Sequence, residues 1–151
     1  MDTKSIKLSI LIAAPVFHVW NCLTQSKNIQ HWWSSQVKLE PYLQGGLEEL
    51  WENEQGQTVV TRGKVLAIQP PQKLILSWAD EDWSAETQVT FLLVSSDNNT
   101  LLTLVHKGWE HFPNQLGDTL LAQHQKGWTE LLQNLKALAE TNNRRLQTEQ
   151  N

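Results

Sequence analysis

The spacing of hydrophobic residues changes in the C-terminal third of the chain, and this change constrains the fold more than any other feature. Between residues 37 and 106, short apolar runs alternate with polar residues at a period of two, which is typical of β-strands. From Asp118 onward the apolar residues recur at helical spacing, which predicts one long helix ending near Thr141. A chain of 151 residues has room for this sheet and this helix in a single domain.

The first thirty residues predict one strand followed by two short helices. Residues 6–12 alternate between apolar and polar side chains, so we expect a strand there. Pro15 suits the first turn of a helix that continues to Leu23. Ser26 is predicted to cap a second short helix that runs towards Trp33.

The middle of the chain predicts about six further strands separated by short turns. The clearest strands are residues 59–68, 74–78, 87–94 and 101–106, with turns at 44–46, 53–56, 70–71, 80–82 and 95–99. Turns this short permit only antiparallel pairing, because a parallel crossover needs a dozen or more residues.

These elements predict an α+β fold with a curved antiparallel sheet of about six to seven strands. The long C-terminal helix is the only predicted element large enough to cover the apolar face of such a sheet, so we expect the sheet to wrap around it. Residues 1–143 are predicted to form the single domain and residues 144–151 a flexible tail.

The composition excludes several classes of function. Twelve Lys and Arg against 16 Asp and Glu give a net charge of -4, which argues against nucleic-acid binding. The single cysteine, Cys22, excludes an internal disulfide framework and a cysteine-rich zinc site, and we read it as a small buried hydrophobe. The apolar stretch near the start is interrupted by polar residues, so we expect a cytoplasmic protein without membrane insertion.

Tryptophan is over-represented, with eight Trp against three Phe and one Tyr. Trp20 and Trp128 fall at helical core positions, whereas Trp33, Trp51, Trp78, Trp83 and Trp109 could line either a cavity or a plain core. The loop 108–117 is predicted to act as a lid over a cavity or as a plug at the end of the core. The predicted ligand-binding residues are Trp33, Trp51, Trp78, Phe91, His106, Trp109, Phe112 and Trp128.

The nearest approach to a catalytic or metal constellation is His106 with Glu110 and His111. Their spacing does not match a helical zinc motif, so we expect neither a metal nor a cofactor. His106 and Glu110 stay as acid–base candidates, against the alternative that His106 is a pocket or core histidine and that the other two residues lie on a wet loop.

The remaining polar residues are interpreted as surface charge. This interpretation applies to Glu48, Glu49, Glu52, Glu54 and the turn 80–82. Arg62 either neutralises a ligand carboxylate or faces water. Gly127 lies inside the long helix, where glycine costs about 1 kcal/mol relative to alanine, so we expect the sheet or a ligand to come close there.

Several short motifs occur in a fixed order over about residues 5–140. They are residues 14–20, Trp33, the Gly45-Gly46 pair, residues 63–65 leading to Pro70-Pro71, residues 74–78, residues 102–109 and Gly127-Trp128. This ordered set resembles the SRPBCC superfamily, whose START/Bet v-type members have a helix-grip fold. Within that superfamily, the last two motifs resemble the branch called activator of Hsp90 ATPase homologue-like.

The resemblance implies a deep cavity between the sheet and the long helix. Members of the superfamily include carriers of lipids, hormones and polyketides, cyclases, hydrolases and co-chaperones, so the fold alone does not settle the function. We expect a non-catalytic domain that binds a small hydrophobic or aromatic molecule. Two alternatives stay open: a module that interacts with an Hsp90-type ATPase, and a cyclase or hydrolase that uses His106 or Glu110 on a hydrophobic cyclic substrate.

Overall fold

A computed structural model describes residues 4–150, and it describes side chains for residues 4–145. These residues form seven strands, two short helices and one long helix. The strands are β1 Ser5–Ile12, β2 Val37–Leu39, β3 Gly46–Glu52, β4 Thr58–Gln69, β5 Lys73–Asp80, β6 Thr87–Ser96 and β7 Asn99–Lys107. The helices are α1 Val16–Thr24, α2 Ser26–Trp32 and α3 Asn114–Gln150, and a 3-10 turn spans Trp109–His111.

The strands form one antiparallel sheet in the order β1-β7-β6-β5-β4-β3-β2. From β2 to β7, strands that are consecutive in the chain pair with each other, and β1 pairs with the other edge of β7. The alternation that predicted β1 is realised, since Ile6 and Ile12 at its two ends are fully buried. The sheet and the long helix confirm the predicted α+β helix-grip arrangement.

The bend of the sheet is concentrated where β4 pairs with β5. A bulge between Val65 and Ala67 shifts the register there, and bulges bend the strand that carries them. At Gly63 the two backbones come so close that a Cβ would lie 1.8 Å from the carbonyl oxygen of Ser77. Only glycine fits at this position, so the sequence permits a curvature that any larger residue would prevent.

The core lies between the concave face of the sheet and one face of α3. The buried face of the helix consists of Trp128, Leu132, Leu135 and Ala139, which recur every three or four residues. Short α1 and α2 cover the remaining end of the core, where Val19, Trp20, Leu23, Ile29 and Trp32 are buried. Of the helices that the structure describes, none is both long enough and apolar enough to cross a membrane.

The ends of the predicted elements needed correction in three places. The long helix begins at Asn114, four residues before Asp118, whose carboxylate instead accepts a hydrogen bond from Lys4 Nζ at 2.6 Å. Ser26 does not cap α2, because its hydroxyl donates to the carbonyl of Leu39 at 3.3 Å. The hairpin predicted around 95–99 is tighter, with Ser96 paired directly to Asn99.

The long helix also continues past Thr141, where the sequence pattern predicted its end. Residues 144–150 of the predicted tail are helical, and Asn151 lies outside the described residues. Inside the helix, Lys136 pairs with Glu140, and the Glu140 carboxylate accepts a hydrogen bond from the backbone N–H of Ala13 at 2.8 Å. Contacts of this kind with the segment after β1 hold the C-terminal half of the helix against the sheet.

Candidate functional site

His106 lies at the centre of a closed network of buried hydrogen bonds. Trp128 Nε1 can only donate, so its 3.0 Å contact makes Nδ1 of His106 an acceptor. Nε2 of His106 then carries the proton and donates to Thr87 Oγ1 at 2.7 Å, and that hydroxyl donates to the carbonyl of Trp78 at 2.9 Å. Both ring nitrogens are therefore occupied inside the protein.

The same environment keeps His106 neutral. Burial, with a smaller effect of the neighbouring His124, lowers the pKa of its imidazole to about 2. The side chain is fully buried, and the ring lies 4.4 Å from that of Trp109, centroid to centroid. In the structure, His106 is therefore a core histidine and does not face open space.

Three tryptophans meet between the sheet and α3. The rings of Trp33 and Trp78 stack with centroids 5.8 Å apart, and Trp128 contacts both at 5.4 and 5.3 Å. These rings come from the end of α2, from β5 and from α3, so they hold three separate elements in fixed relation. Aromatic pairs of this geometry contribute about 0.5–1.5 kcal/mol each beyond the burial of their surface.

A cavity of about 640 Å³ opens beside this tryptophan cluster. Its inner wall is formed by indole rings and by one face of α3, and its rim by the polar turn between β3 and β4. The lining residues are Trp33, Glu49, Trp51, Glu52, Asn53, Glu54, Gln55, Thr61, Trp78, Asp80, Leu120, Gln123, His124, Gly127, Trp128 and Leu131. Both the volume and the mixed lining are within the usual range for a small-molecule site.

A row of polar side chains crosses the concave face of the sheet at this cavity. Glu49 on β3 is paired with Thr61 on β4, and Thr61 is paired with Asp80 on β5. Trp51 Nε1 donates to Thr61 Oγ1 at 2.9 Å, and that hydroxyl donates to Asp80 Oδ1 at 2.5 Å. The hydroxyl of Thr61 thus fixes one tryptophan and one carboxylate relative to each other.

Both carboxyl groups of this row hold their protons more tightly than usual. The pKa of Glu49 is raised to about 7, mainly by burial and also by the charge of Asp80, although the hydrogen bond from the indole N–H of Trp33 lowers it. Burial also raises the pKa of Asp80, whereas the hydrogen bond from Thr61 lowers it. The cavity therefore holds two desolvated acids close to each other.

His124 contributes the polar group on the helix side of the cavity. Its Nδ1 donates to the carbonyl of Leu120 at 2.8 Å, which leaves Nε2 as an acceptor for Trp78 Nε1 at 3.3 Å. Burial lowers the pKa of this imidazole, so it is neutral near pH 7. His124 therefore orients Trp78 and adds no positive charge to the site.

The predicted ligand-binding residues divide into two groups. Trp33, Trp51, Trp78 and Trp128 line the cavity. The other four, Phe91, His106, Trp109 and Phe112, do not line it and are packed in the interior, where they are 1%, 0%, 1% and 4% exposed.

Of the two roles weighed for the loop 108–117, the plug is the one realised. The rings of Trp109 and Phe112 are packed beside Trp83, with centroids 5.9 and 5.2 Å from it. The indole N–H of Trp109 donates to the carbonyl of His106 at 3.0 Å. The loop therefore closes one end of the core and does not cover the cavity.

The predicted acid–base candidates do not come together. Glu110 and His111 are exposed on the 3-10 turn, whereas His106 is buried beneath it. Within residues 4–145, no three His, Cys, Asp or Glu side chains are grouped so that they could hold a metal ion. The geometry thus joins none of these residues into a catalytic set.

Three further sequence interpretations can be compared with the structure. Arg62 faces water on the outer side of the sheet and contacts Glu48 at 3.4 Å, so it is not at the cavity. Cys22 is buried, and desolvation raises the pKa of its thiol to about 11, as suits a small hydrophobe. At Gly127 a Cβ would meet no atom within 4 Å, so the glycine faces the cavity and not a closely approaching strand.

The sequence interpretation missed four cavity residues, namely Glu49, Thr61, Asp80 and His124. Glu49 was read as surface charge, although it alternates with Leu47 and Trp51 and so shares their face of β3. Asp80 likewise lies two residues after Trp78. The period of two, applied to the acidic residues as well as to the apolar ones, would have placed both carboxylates inside.

A sequence model of one protein family matches most of the chain. The family is described as Activator of Hsp90 ATPase homolog 1-like protein, and the match spans residues 13–140. No curated protein sequence matches the chain significantly.

Solved structures share the fold at low sequence identity. Protein MLL2253 from Mesorhizobium loti has a TM-score of 0.75 and 21% identity, over 91% of this chain and 98% of that one. DynU16, described as a protein in the dynemicin biosynthetic locus, has a TM-score of 0.75 and 18% identity, over 95% and 49%. The Aha1 dimer from Colwellia psychrerythraea has a TM-score of 0.72 and 19% identity, over 91% and 96%. Similarity at these identities shows the fold alone.

Proposed function

The chain belongs to the family of activator of Hsp90 ATPase homolog 1-like proteins, and we propose that its cavity binds a small hydrophobic or aromatic molecule without catalysing a reaction on it. The observation that carries this proposal is the cavity of about 640 Å³ walled by Trp33, Trp51, Trp78 and Trp128. Flat indole surfaces at fixed positions suit a planar ligand, because little side-chain freedom is lost on binding.

The positions of the two predicted acid–base residues support a binding role. The two side chains considered for acid–base work are separated, since His106 is fully buried and saturated with hydrogen bonds while Glu110 is exposed. A general acid or base must reach the reacting group within hydrogen-bond distance, and neither residue is open to the cavity. DynU16, described as a protein in the dynemicin biosynthetic locus, is a neighbour of the same fold.

The proposal is tested by ligand binding to the purified protein and to one cavity-filling variant. Tryptophan fluorescence and thermal denaturation are followed across a library of fatty acids, aromatic compounds and polyketides. A ligand that binds in the cavity is expected to change the fluorescence of the tryptophan cluster and to raise the melting temperature, because binding to the folded state alone stabilises it.

Gly127→Leu and Gln125→Leu form the matched pair of variants. Leucine at position 127 projects into the open space of the cavity, whereas leucine at position 125 is added to the exposed face of the same helix. We expect the first to weaken binding at least tenfold and the second to leave it unchanged. Equal binding by both variants, or no response of the wild-type protein to any compound, would contradict the proposal.

Contact with an Hsp90-type chaperone is a second proposal, which the description of the family favours. A solved neighbour of the same fold is an Aha1 dimer, which adds to this motivation. Pull-down and ATPase measurements with a purified Hsp90-type chaperone test it. Stimulation of the ATPase is the expected result, and the proposal fails if neither binding nor stimulation is found.

A further inference from the structure

The charged residues that line the cavity all carry the same sign. Glu49 and Asp80 lie on its inner wall, and Glu52 and Glu54 lie at its rim. Among the lining residues there is no Lys or Arg, and the one histidine, His124, is held neutral by burial. A purely apolar ligand makes no use of these four carboxylates, so their presence bears on the charge of the ligand.

The two inner carboxylates form no ion pair with any Lys or Arg side chain that the structure describes. Among residues 4–145, whose side chains the structure describes, the ion pairs are Lys4–Asp118, Arg62–Glu48 and Lys136–Glu140. Glu49 and Asp80 belong to none of these pairs. Buried carboxylates are usually paired, because an unpaired charge removed from water is costly.

The geometry of the wall adds a second feature that suits a positive charge. The faces of the indole rings are negative because of their quadrupoles, and a cation within about 6 Å of a ring centroid is attracted to them. Trp33 and Trp78 border the same cavity as Glu49 and Asp80, and the Trp51 N–H and the Thr61 hydroxyl fix the orientation of Asp80. The ring faces and the carboxylates thus favour the same charge on a ligand.

We propose that the cavity is selective for organic cations, and in particular for an aromatic molecule with a protonated amine, whose ring packs on the tryptophans while its ammonium group lies between Glu49 and Asp80. This inference rests on the proposed binding function and names the chemical class of the ligand. Burial raises the pKa of both carboxyls, and the charge of Asp80 also raises that of Glu49; a bound ammonium group relieves this repulsion.

The site fits an organic cation better than a metal ion. Within the part of the chain whose side chains are described, Glu49, Asp80 and His124 are not close enough to form a three-ligand metal group. Nε2 of His124 already accepts a hydrogen bond from the indole N–H of Trp78. Large flat indoles beside two neighbouring carboxylates match a cation carried on a ring system.

Three probes of one shape and different charge test the inference. They are 2-(2-naphthyl)ethylamine, which is cationic, 2-(2-naphthyl)ethanol, which is neutral, and 2-naphthylacetate, which is anionic. Their affinities are measured by isothermal titration calorimetry at pH 8, above the raised pKa of about 7 of Glu49. We expect the amine to bind at least tenfold more tightly than the alcohol and the acid to bind most weakly.

Variants of the two carboxylates identify the source of the selectivity. Glu49→Gln and Asp80→Asn are each expected to reduce the affinity for the amine by about three- to tenfold while changing that for the alcohol by less than twofold. Glu48→Gln is the matched control, because Glu48 precedes Glu49 on β3 and faces the opposite side of the sheet. It is expected to leave the affinities for all three probes unchanged.

The outcomes separate this inference from the proposed function. If the alcohol binds as tightly as the amine, or the acid binds best, the selectivity for cations is wrong while the binding function stands. If Glu48→Gln lowers the affinity for the amine as much as Glu49→Gln does, the effect is one of net charge and the assignment of Glu49 is wrong. If none of the three probes binds and the library also gives no response, both the proposed function and this inference are overturned.

Discussion

The raised pKa of Glu49 predicts that replacing this residue with glutamine stabilises the protein at high pH and not at low pH. Burial moves the pKa of the carboxyl from its usual value of 4.5 to about 7 in the folded state. Between these two values the folded protein binds more protons than the unfolded chain, so the stability of the wild type falls as the pH rises. Glutamine does not titrate, so the stability of the Glu49→Gln variant does not show this decrease with rising pH.

The size of the effect follows from the interval between the two pKa values. At about 1.4 kcal/mol per pKa unit, the interval sets an upper bound of about 3.5 kcal/mol. Solvent reaches the half-buried carboxyl and screens its charge, so we expect a gain of about 1–2 kcal/mol for the variant relative to the wild type between pH 4.5 and pH 8. Most of the gain should develop between pH 5 and pH 7.

Urea denaturation followed by tryptophan fluorescence measures this difference at a series of pH values. The groups that face Glu49 include Asp80 on β5 and His124 on α3, and both titrate in the wild type and in the variant. Their contributions therefore cancel to first order when one stability curve is subtracted from the other. Glu52→Gln, an exposed change on the same strand, controls for the loss of one negative charge. A difference that stays constant from pH 4.5 to pH 8, or equal curves for the two variants, would refute the reasoning.

Three further substitutions test the packing around the site. Trp128→Phe leaves Nδ1 of His106 without its donor, so urea denaturation should show a loss of about 1–3 kcal/mol; an unchanged midpoint would contradict the network. Gly127→Ala places a methyl group in open space within a helix, so a gain of about 1 kcal/mol is expected in the same assay, and a loss would show that the space is not open. Gly63→Ala drives a Cβ into a carbonyl group of β5, so thermal denaturation should show a loss of about 3 kcal/mol or more, whereas wild-type stability would disprove the close approach.

The secondary structure could be predicted from the sequence because its signals are local. The alternation in Ile6–Ile12 depends only on which side of a strand each residue faces, and the structure has that strand at Ser5–Ile12. The antiparallel pairing of the strands was also predicted from the sequence, because the turns are too short for a parallel crossover. Helix ends were less well predicted, because Ser26 and Asp118 bond to distant groups instead of acting as caps.

The candidate site was predicted only in part, because it depends on which side chains meet from separate elements. Trp33, Trp51, Trp78 and Trp128 were predicted to bind a ligand, and the structure places all four at the cavity. The same reasoning also included Trp109, whose indole is packed in the core. An apolar residue on an inward face is equally compatible with a wall and with a filled interior, so its sequence position cannot distinguish the two.

The sequence by itself determined the architecture, and the tertiary structure decided the chemistry of the cavity. The change from a period of two to helical spacing specifies a sheet and a covering helix, because each period exposes one apolar face that must be buried. Whether a carboxylate is surface charge or a buried acid depends instead on how much water its neighbours exclude. Glu49 and Asp80 become unusual only when β3, β4 and β5 bring them together beside the tryptophans of α2 and α3. Desolvation is a property of the assembled site, and no single segment of the chain carries it.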